Sequence, residues 1–87
     1  MDKFTGLLTK IRLLKDKPLV VRFTLKSDDK SINCITAKEI LGQRILMLPD
    51  DKYTAEVVGL FNVKEQLVVR QLIVLNPDNL IKMIDLW

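Results

Sequence analysis

The sequence predicts an all-β fold, namely a five-stranded antiparallel barrel with a short helix between strands 3 and 4 and a C-terminal helix. The first observation is that apolar and polar residues alternate with a period of two in five segments, as in half-buried strands. The second is that short polar turns separate these segments. The third is that apolar residues take up helical spacing in two other segments.

The first predicted strand spans residues 5–14. Leu7, Ile11 and Leu13 fall on one of its faces, because side chains two residues apart point the same way in a strand. A turn ends the strand near Pro18, since proline has no N–H to donate to a strand ladder.

Residues 19–26 form the clearest predicted strand. Val21, Phe23 and Leu25 point inward and alternate with outward residues, and the segment is rich in β-branched and aromatic residues. The polar turn that follows predicts that residues 31–38 return antiparallel as the third strand.

Residues 39–48 have apolar side chains at helical spacing, which predicts a short helix that ends at the following proline. Gly42 weakens this helix by about 1 kcal/mol relative to alanine. Residues 53–63 and 67–75 are the fourth and fifth predicted strands. Gly59 indicates a bend or a bulge within the fourth.

A second helix is predicted over about residues 77–86, with Asn76 as its N-cap and Pro77 at its first helical position. Its apolar face either covers the end of the barrel or forms a dimer or partner interface, because such spacing suits a helix in a groove. The residues of that face are Leu80, Ile81, Ile84 and Trp87.

Five strands with a helix between the third and the fourth are the layout of the OB-fold, a small, partly open barrel. All 87 residues are expected to form one domain, with the barrel over about residues 4–75. The lone Cys34 can form no internal disulfide bond, which favours the cytoplasm. No run of about 18 uncharged apolar residues occurs, so no contact with a membrane is expected.

The composition disfavours an enzyme. With no histidine and one cysteine, the chain has no imidazole base, no Cys–His pair and no histidine-based metal site. Residues 28–29 and 50–51 are acidic pairs in polar turns, where solvated carboxylates are expected rather than catalytic ones. The sequence therefore predicts no catalytic residue, no metal site and no cofactor.

Basic residues occupy outward positions of the predicted strands, while acidic residues concentrate in the turns. The strand cations are Lys10, Arg12, Arg22, Lys26, Lys38 and Arg70. The turn acids are Asp16, Asp28, Asp29, Asp50, Asp51 and Glu65. A cationic face with an anionic rim suits a polyanion, and on this barrel it indicates single-stranded nucleic acid. The alternative is that these exposed charges serve solubility and deter edge pairing.

Five uncharged residues complete the candidate nucleic-acid site. Thr24, Asn33 and Asn62 share the polar face, where their side chains suit hydrogen bonds to bases or phosphates. Tyr53 and Phe61 either stack on bases or belong to the core. Stacking is worth about 1–3 kcal/mol per base, so the exposure of these rings decides how tightly such a surface binds.

Four apolar residues also fall on the predicted outward face. They are Val20, Val58, Leu72 and Val74. An apolar outward face indicates association between sheets of two molecules, and a chain of this size has a thin core. We therefore expect a homo-oligomer, either a dimer or a tetramer.

Several segments resemble single-stranded-DNA-binding proteins of the bacterial type. Residues 19–25 (LVVRFTL) are similar to the second strand of that family, and residues 31–37 (SINCITA) to its third. Residues 53–61 (YTAEVVGLF) are similar to its segment that runs into Glu-Gly-x-Leu. Gly6 and Thr9 stand where the family has a Gly-x-x-Thr-like opening strand. The resemblance covers most of the chain and implies an OB-fold that binds single-stranded DNA.

The chain also departs from that family, of which it would be a short and divergent member. Ala37 stands where the family has a base-stacking tryptophan, and Phe61 stands where it has leucine. The glycine-rich tail with an acidic tip is missing, so recruitment of partners through such a tail is not implied. A second interpretation is a protein-interaction OB module, an accessory subunit that oligomerises or binds a partner protein through its apolar surface.

Overall fold

The structure of the protein is a computed structural model, and it describes residues 1–86. Trp87, which we expected in an interface, lies outside the described residues. The elements in chain order are β1 (Asp2–Asp16), β2 (Leu19–Lys26), β3 (Ser31–Thr36), α1 (Glu39–Leu46), β4 (Thr54–Phe61), β5 (Leu67–Val74) and α2 (Asn79–Ile84). The strands form a closed barrel in the order β1-β2-β3-β5-β4, which confirms the predicted fold class.

The barrel closes between β3 and β5, which are parallel and pair at only two positions, Cys34 with Leu67 and Ile35 with Val68. The other four strand pairings are antiparallel. Helix α1 follows β3 and packs on β2, where Gly42 lies against the side chains of Leu19 and Val21. Helix and barrel therefore share one core.

The inner face of β2 is as predicted: Val21 and Phe23 are fully buried and Leu25 is nearly so. Cys34 is also fully buried, on the neighbouring strand. Burial raises the pKa of the Cys34 thiol to about 12, because the thiolate would lose its hydration. The thiol is therefore an inert part of the core.

Strand β1 contains a bulge that the sequence pattern did not reveal. Its pairing with β2 moves from Thr9 opposite Thr24 to Arg12 opposite Arg22, which adds one residue to β1. The extra residue reverses the alternation of side chains. Our prediction that Leu7, Ile11 and Leu13 share one face is therefore wrong. Leu8 is the fully buried residue of this strand, and Leu13 is 51% exposed.

A second irregularity lies where Gly59 faces β5. Gly59 pairs with Val69, whereas Val58 pairs with Gln71, so β5 contains one extra residue. The predicted irregularity at Gly59 is confirmed in position, but the extra residue lies in β5 and not in the fourth strand, where the sequence placed it. The same shift turns Leu72 and Val74 inward, to 7% and 2% exposure, so the prediction that they lie on an apolar outer face is wrong.

Helix α2 begins two residues later than the sequence predicted. Its N-cap is Asp78, whose Oδ1 accepts a hydrogen bond from the Ile81 N–H at 3.2 Å. Asn76, which we expected as the cap, instead accepts a hydrogen bond from the Thr54 N–H and donates one to the Lys52 carbonyl. The predicted cap is wrong, because the Asn76 side chain is instead hydrogen-bonded to the backbone at the start of β4.

The Asp78 carboxylate also joins α2 to the barrel. Its Oδ2 accepts a hydrogen bond from the Tyr53 hydroxyl at 2.8 Å and lies 3.2 Å from Lys52 Nζ. The Tyr53 hydrogen bond is the largest cause that lowers the pKa of Asp78 to about 2, and the Ile81 N–H and Lys52 lower it further. The folded state therefore favours the ionised form of Asp78.

Lowering the pH should remove this contribution to stability. Because the folded pKa is about 2 and the ordinary value is 3.8, the contribution is complete above pH 3.8 and is lost as the pH falls through about 2. Asp78→Asn keeps a capping oxygen and lacks the charge. Urea unfolding of both proteins should show a gap in stability that closes between these two pH values. A gap that does not depend on pH would contradict this account.

Candidate nucleic-acid interface

Outward side chains of β1, β2 and β3 form three rows across the barrel. The rows are Arg12–Arg22–Ile35, Thr9–Thr24–Asn33 and Leu7–Lys26–Ser31. We call the polar outward residues of the two central strands the β2–β3 face. It comprises Arg22, Thr24, Lys26, Ser31 and Asn33, and the structure brings these residues together on one surface.

Arg22 and Lys26 are the cations of this face. Both are exposed, and they lie about 13 Å apart along β2, with Thr24 between them. No carboxylate in residues 1–86 lies within 4.0 Å of either one. Their charges are therefore not compensated by a direct ion pair within the described chain.

Arg12 lies next to Arg22, but an acidic residue holds it. Its Nη1 lies 3.2 Å from Asp50 Oδ2, while the Ile11 N–H donates to Asp50 Oδ1 at 2.8 Å. The Ile11 hydrogen bond, aided by Arg12, lowers the pKa of Asp50. Asp50 therefore stabilises the β1 bulge through its hydrogen bond to the Ile11 N–H, and its negative charge offsets that of Arg12.

Lys38 and Arg70 lie together at the end of the barrel where α1 begins. Lys38 was predicted on a strand, but β3 ends at Thr36 and Lys38 is the N-cap residue of α1. Its Nζ donates a hydrogen bond to the Arg70 carbonyl at 3.0 Å. Both side chains are exposed, as is Lys10 in the β1 bulge.

A cleft of about 610 Å³ adjoins the other end of the β2–β3 face. Its lining comes from the start of β3 and from the β4–β5 turn: Ser31, Ile32, Asn33, Phe61, Lys64 and Glu65. The Phe61 ring is 46% exposed and packs edge-on against Phe4, with 5.7 Å between ring centroids. An exposed ring beside polar groups and a lysine suits a nucleobase attached to a phosphate.

Two further predicted residues have structural roles. Tyr53 is 1% exposed, so its ring belongs to the core and the prediction that it can stack on a base is wrong. Asn62 shapes the β4–β5 turn: its Oδ1 accepts from the Lys64 and Gln66 N–H groups, and its Nδ2 donates to Gln66 Oε1. These bonds hold Lys64 at the rim of the cleft.

Sequence reasoning missed Lys64 and Lys30. Lys64 lines the cleft, and Lys30 Nζ lies 5.9 Å from the centroid of the Phe4 ring. Both residues are in turns, where the alternation of strand residues gives no indication of a shared face. The loop between strands 4 and 5 of an OB-fold contributes to ligand binding, and this rule indicates Lys64, which lies in that loop.

The apolar face of α2 covers the barrel. Ile81 is fully buried, and Leu80 and Ile84 are half-buried. The prediction that Ile81 lies in an interface is therefore wrong, since the residue belongs to the core. Met83, on the opposite side of the helix, is 82% exposed.

Residues 1–86 contain no group of three or more His, Cys, Asp or Glu side chains that would suit a metal ion. No helix in this range has the length and apolar character needed to cross a membrane. No family model matches the chain, and no curated protein is significantly similar to it.

Proposed function

We propose that the protein binds single-stranded nucleic acid, in the first instance DNA, across the β2–β3 face. It acts without catalysis and without a cofactor. The main support is that Arg22 and Lys26 are exposed, have no carboxylate within 4.0 Å in residues 1–86, and flank a polar row next to the cleft that contains Phe61. Single-strand binders combine such a cationic track with a ring for stacking.

In this proposal the phosphates follow the cations and the bases turn toward the barrel. Arg22, Lys26 and Lys64 neutralise phosphates, while Phe61 stacks on one base. Asn33, in the middle row and in the cleft lining, is placed to hydrogen-bond a base edge. Because most of these contacts are to phosphates or to a base face, binding is largely independent of sequence and weakens with salt.

The proposal includes kinship with single-stranded-DNA-binding proteins of the bacterial type, assembly into a dimer or tetramer, and a cytoplasmic location. Ala37 supplies no ring, and Phe61 is the only exposed aromatic residue in the described chain. One stacking position per subunit gives weak binding, and several subunits on one strand would compensate through multivalency.

Fluorescence titration of labelled oligo(dT) tests the proposal directly. We expect binding in dilute buffer and a linear fall in log affinity with log salt concentration, because phosphate neutralisation releases counterions. Oligo(U) in parallel separates DNA from RNA preference. Absence of binding to both oligomers in dilute buffer would refute the proposal.

A protein-interaction module is the second candidate function. Consecutive large apolar residues are exposed at three sites in residues 1–86: Leu13 and Leu14 at the end of β1, Leu46 and Met47 at the end of α1, and Leu60 and Phe61 at the end of β4. Exposed apolar residues of this kind suit an apolar partner or a second copy of the chain. Sedimentation that shows a stable oligomer, together with no oligonucleotide binding, would favour this candidate over the first.

A further inference from the structure

A second groove, distinct from the cleft at Phe61, lies between α1 and β5. It has a volume of about 520 Å³. Its floor and one wall are aliphatic, with Ile40 and Leu41 from the helix and Leu72 and Ile73 from the strand. Ile40 is 64% exposed and Ile73 is 44% exposed. Exposed aliphatic side chains that converge on one concave surface are typical of a docking site.

Cations surround this apolar floor. Lys38, Arg44 and Arg70 line the groove, and Asp85 is the one acidic residue among the described residues that line it. No carboxylate in residues 1–86 lies within 4.0 Å of these three cations. An occupant that complements the groove therefore has negative charge at its edges and apolar groups at its centre.

The groove also faces an open strand edge. Beyond Val68, β5 has no strand partner on the β3 side within residues 1–86, because β3 ends at Thr36. The Leu75 N–H donates to the Thr54 carbonyl of the β4 side, whereas the Val74 N–H donates to the Leu86 carbonyl on the opposite side. Backbone groups alternate along a strand, so those of Leu72 also face away from β4, toward the groove.

We propose that this groove binds an acidic peptide segment of a partner protein, in which aliphatic or aromatic side chains accompany aspartates or glutamates. The peptide's apolar side chains pack on Ile40 and Ile73, and its carboxylates pair with Lys38, Arg44 and Arg70. Its backbone is placed to add to the β5 edge at Leu72. This inference goes beyond the proposed nucleic-acid function and does not depend on it.

Nucleic acid is the less suitable occupant of the groove. A base gains most from stacking on an aromatic ring, and no aromatic side chain in residues 1–86 lines the groove. The lining is aliphatic, which suits the side chains of a peptide. The phosphates of a strand would find the same cations, so the experiment must separate the two ligands.

The test uses a labelled hexapeptide of alternating aspartate and leucine, with blocked ends, in fluorescence anisotropy. Two control peptides replace either every aspartate by asparagine or every leucine by serine. We expect the wild-type protein to bind the first peptide, and both controls to bind at least about tenfold more weakly, because the groove requires charge and apolar groups together.

Two variants locate the binding. Arg44→Glu reverses a rim charge, and Ile40→Gln removes an exposed apolar side chain while keeping a good helix former. Each should weaken peptide binding by about tenfold and change oligo(dT) binding by less than about twofold. Lys15→Glu, at an exposed site on β1, is the matched charge reversal and should have little effect. Melting curves verify that all three variants are folded.

The possible outcomes separate the alternatives. Peptide binding that needs aspartate, leucine, Arg44 and Ile40 supports the proposal. Absence of peptide binding, or binding that neither variant weakens, overturns it. If the peptide does not bind and Arg44→Glu weakens oligo(dT) instead, the groove belongs to the nucleic-acid path and the proposal is wrong. If the wild-type protein binds the peptide but neither oligo(dT) nor oligo(U), the proposed function is refuted and this inference stays intact.

Discussion

Replacing Arg22 and Lys26 together by alanine should weaken oligo(dT) binding for every base composition. Each cation that neutralises a phosphate of a single strand contributes about 0.7 to the slope of log affinity against log salt concentration. Loss of both should therefore flatten the slope by about 1.4. Both side chains are exposed, so the fold should tolerate the change.

The measurement is a titration at several salt concentrations, with a matched control. Lys15→Ala with Lys82→Ala removes two exposed cations that lie outside the β2–β3 face, the cleft at Phe61 and the groove between α1 and β5. This control should lower affinity slightly through net charge and leave the slope nearly unchanged. Equal slopes for the two double variants would show that the cationic face is not where the phosphates bind.

Gly59→Ala should give the largest loss of stability of any single conservative change in the barrel. A Cβ at Gly59 would collide with the Val68 carbonyl oxygen, and that oxygen is backbone in a paired strand. Strand β5 would have to move, so the loss in free energy of unfolding should exceed the roughly 1–3 kcal/mol that is usual for overpacking. For a domain of this size we expect the melting temperature to fall by more than about 10 °C.

Gly42→Ala is the matched control, since the substitution is identical but the surroundings differ. Its Cβ would lie 3.1 Å from the ends of the Leu19 and Val21 side chains, and side chains can adjust. Alanine also favours a helix by about 1 kcal/mol over glycine. The melting temperature should therefore stay within about 4–8 °C of the wild-type value. A similar loss in both variants would contradict the clash at Gly59.

Strand β2 shows how far a sequence pattern alone can reach. Its observed bounds, Leu19–Lys26, are the predicted ones, and its inward residues are the predicted ones. The alternation is unbroken from end to end, and a proline on one side and polar residues on the other mark its limits. Where local pattern and tertiary pairing agree in this way, the sequence suffices.

Strands β1 and β5 show where the pattern fails. One extra residue in each reverses the inside and the outside partway along the strand. The bulge in β1 is held by Asp50, which lies 39 positions away in the chain from Ile11. The shift in β5 lies opposite Gly59 on another strand. Neither cause is local, so neither appears in the periodicity of the strand itself.

The candidate site was predicted in part for the same reason. All six strand cations predicted from the alternation are exposed. Which of them are held by other groups was not predictable, because Arg12 contacts Asp50 and Lys38 donates to the Arg70 carbonyl, across 38 and 32 positions. The cleft at Phe61 joins the start of β3 to the β4–β5 turn, and only the closed barrel brings those segments together.

The sequence by itself determined the order of the elements, the inner face of β2 and the exposure of the basic side chains, because these follow from periodicity over a few neighbouring residues. The tertiary structure alone decided which cations are paired, which rings are buried and where the two concave surfaces lie. These depend on contacts between residues far apart in the chain, and a bulge of one residue is enough to reverse them.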